Sequence, residues 1–158
     1  MLYMIIKKKV SIKNVKFGDN VEIIEPVNLY ECEIGNNCLI GPYVEIQKKV
    51  VIGDNTRVSS HSFICELVEI GKDCFISHGV MFVNDLFKSG KLKRNPKEWF
   101  STKIGNNVLI GSNSTILPVQ IVSGCVIGAG SVVTKDLLKK GIYCGNPAKF
   151  IRKIDEPL

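Results

Sequence analysis

The sequence predicts an all-β fold in which short strands are joined by tight corners. The main observation is a large apolar residue at nearly every sixth position, from Phe17 to Phe82 and again from Ile104 to Val133. We call these eighteen positions stations, and each holds an aliphatic residue or Phe. Glycine follows eight of them, often with Asn or Asp behind it, and these residues suit tight backbone turns. A period of six fits neither a helix nor simple alternation, so the chain must turn every six residues.

The order of the elements follows from this rhythm. Residues 1–16 are expected to form an N-terminal cap, residues 17–137 the repeating coils and residues 138–158 a short C-terminal tail, all in one domain of 158 residues. The residue four places after a station is usually small or β-branched. Three of the six cysteines hold this position, which predicts a packing role for them. They are Cys38, Cys74 and Cys125.

A long loop interrupts the coils where the rhythm stops. Residues 85–103 carry six basic and two acidic side chains together with Gly90 and Pro96. Loops of this length are usually functional or disordered. The loop's aromatic residues argue against the alternative, a purely solvated flap. These residues are Phe87, Trp99 and Phe100.

Composition and charge limit the partners. The apolar N-terminal stretch is too short for a signal sequence or a membrane span, and its charges follow it, so we expect a cytoplasmic protein without membrane insertion. The net charge of +6 indicates an anionic partner such as nucleic acid, a membrane surface or a phosphorylated small molecule. No basic run is interleaved with aromatic residues, which disfavours nucleic acid. The cysteines form no CxxC pair and have no neighbouring histidine, so no metal site is predicted.

The stretches "IGNNCLIGPYVEI" and "IGNNVLIGSNSTI" resemble the hexapeptide-repeat family, and the resemblance covers residues 17 to 137. It implies a left-handed parallel β-helix of triangular section with three hexads per coil. The eighteen stations then make about six coils, and the prism would stand about 29 Å tall at about 4.8 Å per coil. The resemblance also implies an acyltransferase that uses coenzyme A and works as a homotrimer, with active sites between neighbouring prisms.

The stretches "IGAGSVVTKDL" and "GIYCGNPAKFIRKI" are similar to the C-terminal end of these transferases, where the coenzyme lies. Small residues there would let the pantetheine arm approach the backbone, and basic residues would meet the phosphates. For each basic residue, an ordinary surface role stays open. The predicted cofactor-binding residues are Gly111, Ser112, Ala129, Lys135, Asn146, Pro147, Lys149 and Arg152.

The stretches "FISHGVMFVNDLF" and "TILPVQI" resemble enzymes that N-acetylate nucleotide-linked deoxy sugars, particularly 3-amino sugars on dTDP or UDP. This resemblance implies acetyl-CoA as the co-substrate, a dTDP-3-amino-3,6-dideoxyhexose as the acceptor, and a role in lipopolysaccharide O-antigen biosynthesis. Some relatives hold a sugar carboxylate with an arginine shortly after a key asparagine. Here Asp85, Leu86 and Phe87 follow that asparagine, which favours a neutral deoxyhexose over a UDP-linked 3-amino-uronate.

The same resemblance places Asn84 at the acceptor amine, with Asp85 and Phe87 in the loop that covers the substrate. We expect the Asn84 side-chain oxygen to accept a hydrogen bond from the amine, while a backbone N–H of a neighbouring coil stabilises the oxyanion. A sugar amine is nucleophilic once aligned, so positioning supplies much of the rate. A strong base is then not required.

Residues eighteen apart should stack on one face of such a prism. This counting places Glu66 beneath Asn84, Ser60 beneath His78, and His61 beneath Gly79. His78 is the candidate base because an imidazole titrates near neutral pH. Packing or substrate binding stays open for His78 and His61, and Glu66 is expected to bind sugar hydroxyls or the amine.

Three other functions remain to be weighed. An O-acetyltransferase of the same fold, acting on a small alcohol, would need a true base and therefore depend more on His78 than on Asn84. The carbonic-anhydrase branch of the fold binds a metal through three histidines, and this chain has two. A non-enzymatic scaffold is disfavoured by the basic loop and the Gly-Asn-Pro-Ala end.

Overall fold

The computed structural model describes residues 11–87, 90–91 and 99–154, and in these ranges every regular element is a strand. The strands are two to four residues long and follow one another about every six residues, as the station spacing predicts. Their bounds are β1 Ile12–Lys13, β2 Lys16–Phe17, β3 Glu22–Ile23, β4 Asn28–Tyr30, β5 Glu33–Ile34, β6 Leu39–Ile40, β7 Glu45–Ile46, β8 Val51–Ile52, β9 Arg57–Val58, β10 Phe63–Ile64, β11 Val68–Ile70, β12 Phe75–Ile76, β13 Met81–Phe82, β14 Thr102–Ile104, β15 Leu109–Ile110, β16 Thr115–Ile116, β17 Gln120–Ile121, β18 Val126–Ile127, β19 Val132–Val133, β20 Ile142–Cys144 and β21 Lys149–Arg152.

Every third strand pairs in parallel, so the chain winds into a prism with three sheets as its faces. Sheet A runs from β1 through β4, β7, β10, β13 and β16 to β19, sheet B from β2 to β17, and sheet C from β3 to β20. The one antiparallel pair among the described strands joins β21 to β20. This architecture confirms the predicted all-β, left-handed parallel β-helix.

The prism has about seven turns, one more than the eighteen stations indicate. At the lower end, β1 pairs with β4 through Ile12 and Leu29, inside the region predicted as a cap. At the upper end, Leu137 forms a bridge to Ile121, and β20 pairs with β18. The region predicted as a C-terminal tail therefore contains the last rung of sheet C.

The stations form the core, as their apolar character predicts. Ile76 is fully buried and lies in register between Val58 below and Ile110 above. Similar β-branched side chains thus stack directly along the prism axis, where they bury most of their surface. Phe17 is the clear exception at 41% exposure, because it lies in the first turn, where no other described turn covers it from below.

The corners depend on residues that tolerate a left-handed backbone. At the corner between sheets B and C, Asn20, Asn37 and Asn55 all have positive φ, and each donates from Nδ2 to the Oδ1 atom of the residue one turn above. The ladder ends on Asp73. Glycine instead allows the backbones of adjacent turns to approach closely, since a Cβ on Gly53 would lie 2.6 Å from the Gly71 carbonyl carbon.

The long loop leaves the stacking register intact. β13 ends at Phe82, and β14 begins at Thr102. The last two residues of the predicted loop, 102 and 103, therefore belong to β14. Ile104 pairs with Ile70, thirty-four residues earlier, whereas Ile70 pairs with Ile52 at the usual eighteen. Most basic residues of the loop, Lys88, Lys93, Arg94 and Lys97, lie outside the described residues.

Candidate functional site

His78 lies on the corner between sheets C and A, which we call the C–A edge. Its Nδ1 atom is 2.8 Å from the Ser60 hydroxyl one turn below, as the eighteen-residue counting predicts. This hydrogen bond fixes the ring and leaves Nε2 directed away from Ser60. His61 lies on the same edge and stacks with Tyr43, with 4.9 Å between ring centroids and 24° between ring planes. His61 and His78 therefore occupy one edge on adjacent turns.

Three predicted cofactor-binding residues continue the C–A edge above His78. The Asn113 N–H donates to the His78 carbonyl, and the neighbouring Ser112 hydroxyl lies 2.7 Å from that of Ser77. A Cβ on Gly111 would lie 2.5 Å from the Ala129 nitrogen, so glycine permits close approach here. The structure thus brings Gly111, Ser112 and Ala129 together on the edge that carries His78.

The remaining predicted cofactor residues lie near the upper end of the prism. Lys135, Lys149, Asn146 and Pro147 are exposed to solvent. Arg152 is half-buried on β21, and its guanidinium donates to the backbone carbonyls of the two following residues. These basic groups give the upper end a positive charge without forming a closed anion site in the free chain.

Asn84 lies on the opposite edge of sheet A, at the corner with sheet B, which we call the A–B edge. Its Nδ2 donates to the Glu66 backbone carbonyl at 3.4 Å, which confirms the predicted stacking and leaves Oδ1 for another donor. The Phe100 N–H donates to the Asn84 carbonyl, so the returning loop closes on the same residue. Side chain and backbone of Asn84 are therefore both held in place.

A buried carboxylate lies beneath Asn84. Glu66 is 6% exposed, and its Oε1 is 3.3 Å from Lys48 Nζ one turn lower. Its Oε2 has no hydrogen-bond partner among the described residues. A buried carboxylate of this kind gains from a nearby cation, and Lys48 supplies one on one side only.

A pocket of about 300 Å³ opens at the A–B edge beneath the loop. One wall is polar and the other aromatic, which is the usual lining of a small-molecule site. The lining residues are Gln47, Phe63, Cys65, Phe82, Val83, Asn84, Asp85, Phe87 and Trp99.

Carboxyl groups lie in and behind the polar wall of this pocket. Gln47 donates to Glu45, and burial together with the carboxylates of Glu45 and Glu66 raises the pKa of the Tyr30 phenol. Asp85 adds a further carboxyl group, whose Oδ1 accepts the Phe87 N–H and so shapes the start of the loop. Asp85 is the one carboxyl group among the described lining residues, and the Glu66 carboxylate behind the lining is paired with Lys48.

His78 and Asn84, predicted to act together, lie on opposite edges of sheet A, with strand β13 between them. No described contact joins the two side chains. Sequence reasoning also missed Gln47, Lys48 and Phe63. The signal for Lys48 was present, since residues 48, 66 and 84 are spaced by eighteen.

The thiols behave as packing groups. All six cysteines are unpaired, and five are buried. Burial raises the pKa of Cys65 to about 12 and that of Cys32 to about 11. Cys38 and Cys74 lie within hydrogen-bonding distance of backbone carbonyls in the next turn. Within the described ranges, no group of three His, Cys, Asp or Glu side chains is placed to hold a metal ion.

Two family models match the chain. One, described as bacterial transferase hexapeptide with six repeats, covers residues 31–66, and the other, described as the hexapeptide repeat of succinyl-transferase, covers residues 101–135. The chain belongs to the hexapeptide-repeat family. The two matches flank the pocket loop, where the hexapeptide-repeat rhythm is interrupted.

Curated hexapeptide-repeat relatives include the bifunctional protein GlmU of Buchnera aphidicola and that of Clostridium botulinum. The first is 30% identical over 92% of this chain and 36% of the relative, and the second is 39% identical over 68% and 21%. The chain thus spans about a third or less of the length of these relatives.

Solved structures of this fold include variants of AntD, an N-acyltransferase from Bacillus cereus, in complex with dTDP and coenzyme A. One is 26% identical with a TM-score of 0.77, covering 90% of this chain and 85% of AntD. A maltose O-acetyltransferase from Clostridium difficile is 24% identical with a TM-score of 0.56, covering 89% and 71%, and shows the shared fold only. The described part of the present hexapeptide-repeat chain has no helix suited to crossing a bilayer.

Proposed function

We propose that this protein is an acetyl-CoA-dependent N-acetyltransferase that acts on the amino group of a nucleotide-linked amino deoxy sugar. The observation that carries the proposal is the pocket beside Asn84, whose amide is anchored on the Glu66 carbonyl and presents Oδ1 as an acceptor. The first candidate acceptor is a dTDP-3-amino-3,6-dideoxyhexose. A dTDP-4-amino-4,6-dideoxyglucose is bound in one AntD structure, so 4-amino sugars belong among the candidates.

The polar wall of the pocket is proposed to receive the substrate amine. The ammonium form of the substrate first releases a proton to solvent, and Asn84 Oδ1 then accepts a hydrogen bond from the neutral amine and orients its lone pair. The nitrogen attacks the thioester carbonyl carbon, the C–S bond breaks and coenzyme A leaves as a thiol after taking up a proton. A backbone N–H at a neighbouring corner stabilises the oxyanion. His78 is the proposed acceptor of the proton that the nitrogen loses on forming the amide, and this proton passes to the departing thiolate.

The aromatic wall supports a neutral deoxy sugar. Phe63, Phe87 and Trp99 offer apolar surface to a sugar methyl group, and Gln47 and Asp85 offer hydrogen bonds to hydroxyls. None of the described lining residues is basic, so the described lining offers no counter-ion to a uronate carboxylate. We therefore place a 3-amino-uronate behind the deoxyhexose as acceptor.

Acetyl-CoA is proposed to lie along the upper C–A edge. Small residues at Gly111, Ser112 and Ala129 admit the pantetheine arm, and the basic groups Lys149 and Arg152 near the upper end face the nucleotide phosphates. This arrangement is supported by the AntD complexes, which contain coenzyme A on a similar prism. It directs the thioester toward His78, and a cytoplasmic location fits both proposed substrates.

A homotrimer would join the two halves of the site. Because His78 and Asn84 lie on opposite edges of sheet A, they meet at one substrate most simply when they come from neighbouring copies. Sheet C also presents an apolar outer row that includes Phe75 at 36% exposure and Leu109 at 45%. We expect sedimentation at three times 17.5 kDa, and Leu109→Glu to yield monomers without turnover.

The first experiment measures thiol release from acetyl-CoA with dTDP- and UDP-linked 3-amino and 4-amino sugars, with serine as a control acceptor. Release with an amino nucleotide sugar alone supports the proposal and names the acceptor. Release with serine or with no nucleotide sugar at all contradicts it. Thermal shifts with coenzyme A provide a separate readout, because a bound ligand raises stability by mass action.

The Ser60–His78 hydrogen bond favours a second candidate, an O-acetyltransferase. An alcohol must lose its proton to a base during attack, and an imidazole held through Nδ1 is oriented for that role. The two candidate functions predict different effects of the same two substitutions. His78→Ala abolishes O-acetylation and only slows N-acetylation, while Asn84→Ala has the reverse ranking.

A further inference from the structure

The C–A edge carries an exposed aromatic pair that the proposed chemistry does not use. Tyr43 and His61 stack at 4.9 Å between centroids and 24° between planes, on the second and third turns of the prism. Tyr43 remains 61% exposed. Packing within the chain therefore does not explain why an aromatic ring is present at this corner.

The backbone at this corner is left-handed. Tyr43 has a φ of 61° and His61 a φ of 64°, both in the left-handed region. The equivalent positions on the turns above are Gly79, Asn113 and Gly130, which tolerate this conformation, whereas a tyrosine does so at a cost. The conformation itself is shared by Glu31, Lys49 and Leu67 at another corner, so it is the exposed aromatic ring that indicates a ligand contact.

The position of the pair indicates which ligand. His78 lies one turn above His61 and two turns above Tyr43, or roughly 10 Å along the axis. The diphosphate and ribose of a nucleotide sugar can bridge that distance when its amine reacts beside His78. The predicted coenzyme contacts lie on the other side of His78, toward the upper end of the prism.

We propose that Tyr43 and His61 form a stacking platform for the nucleobase of the acceptor, which the protein thereby selects as a nucleotide-linked sugar. The inference rests on the proposed function and adds a base-binding site to it. A flat base covers the exposed ring of Tyr43 while the Tyr43–His61 stack holds that ring in place. The polar groups beside the platform, Ser60 and His78, lie near enough to contact the ribose or phosphates.

The test compares Tyr43→Ala with Tyr43→Phe, which keeps the ring. Stacking of a base on an aromatic ring contributes enough that we expect roughly a tenfold or greater rise in KM for the dTDP-linked amino sugar in Tyr43→Ala, with kcat within about twofold. Tyr43→Phe should match the wild type. The corresponding amino sugar 1-phosphate, which lacks the base, should show the same KM with both variants.

Calorimetric titration with dTDP alone separates this inference from the proposed function, because it needs no turnover. Binding to the wild type that Tyr43→Ala weakens supports the platform even if no sugar is acetylated. An unchanged KM and unchanged dTDP affinity in Tyr43→Ala overturn it. A rise confined to the KM for acetyl-CoA would also overturn the inference, because it would assign the platform to the adenine of the coenzyme. A change in sedimentation alone would overturn it as well, because it would assign Tyr43 to a subunit contact.

Discussion

Replacing Asn84 with alanine separates the chemistry of the pocket from the stability of the prism. The change removes the proposed acceptor for the sugar amine and the donor to the Glu66 carbonyl. That donated bond is long, at 3.4 Å, so its loss should lower the free energy of unfolding by less than about 1 kcal/mol. Turnover of the amino sugar should fall at least about tenfold, equivalent to about 1.4 kcal/mol in the transition state.

A matched control is available at another corner. The Asn36 side chain accepts from the Asp19 N–H at 2.7 Å and donates to Asp54 at 3.2 Å, both on the B–C side of the prism. Asn36→Ala should therefore lower the free energy of unfolding by about 1 to 3 kcal/mol, more than Asn84→Ala does. Its turnover per folded molecule should equal that of the wild type.

The assay is thiol release from acetyl-CoA under saturating and limiting acceptor, combined with urea unfolding of both variants and sedimentation of each. Loss of kcat in Asn84→Ala with an intact trimer supports a role at the reacting amine. Full turnover in Asn84→Ala, or equal losses in both variants in proportion to their stability, would refute the assignment.

Three further predictions concern the core, the half-buried Lys48–Glu66 ion pair and the thiols. Ile76→Ala should lower the free energy of unfolding by about 2 to 5 kcal/mol in urea titrations, because the fully buried side chain leaves a cavity; a loss below 1 kcal/mol would contradict the stacked core. Lys48→Met should cost about 1 to 3 kcal/mol by stranding the Glu66 carboxylate, and adding Glu66→Gln should recover most of that loss; no recovery would show that the pair is not coupled. Native protein at pH 8 should react with a thiol reagent first at the half-buried Cys144. Burial raises the pKa of Cys65 to about 12, so this thiol ionises at a lower pH in the unfolded chain than in the folded one. The folding stability contributed by this group therefore falls as pH rises from about 9 toward 12. Equal numbers of reactive thiols in native and unfolded protein would contradict the burial of these groups.

The sequence was most informative where a local rule repeats. The six-residue spacing predicted short strands joined by corners. Combined with the three hexads per coil that the family resemblance implies, it predicted that Ser60 lies beneath His78 and Glu66 beneath Asn84, as the structure shows. These predictions succeed because each turn stacks on the last with the same geometry. The seventh turn was missed because its rungs, at Ile12, Leu137 and β20, lie outside the regular spacing.

The pocket was less predictable, because its walls come from segments with no shared period. Gln47 and Phe63 lie on regular turns and look like ordinary outward residues, and only the returning loop with Trp99 turns them into a lining. The separation of His78 from Asn84 was also hidden. Two residues six positions apart lie within two turns of each other in an α-helix, whereas here His78 and Asn84 are separated by one whole face of the prism.

The unbroken register across the loop has a consequence for how such a protein changes its acceptor. Ile104 pairs with Ile70 as if the sixteen additional residues were absent, so the packing of the core does not depend on the length of the loop. Stability is then contributed turn by turn, while the shape of the pocket depends on a segment attached at one corner. Loops of different length and chemistry can be exchanged at that corner, and selectivity can be redesigned without repacking a single rung.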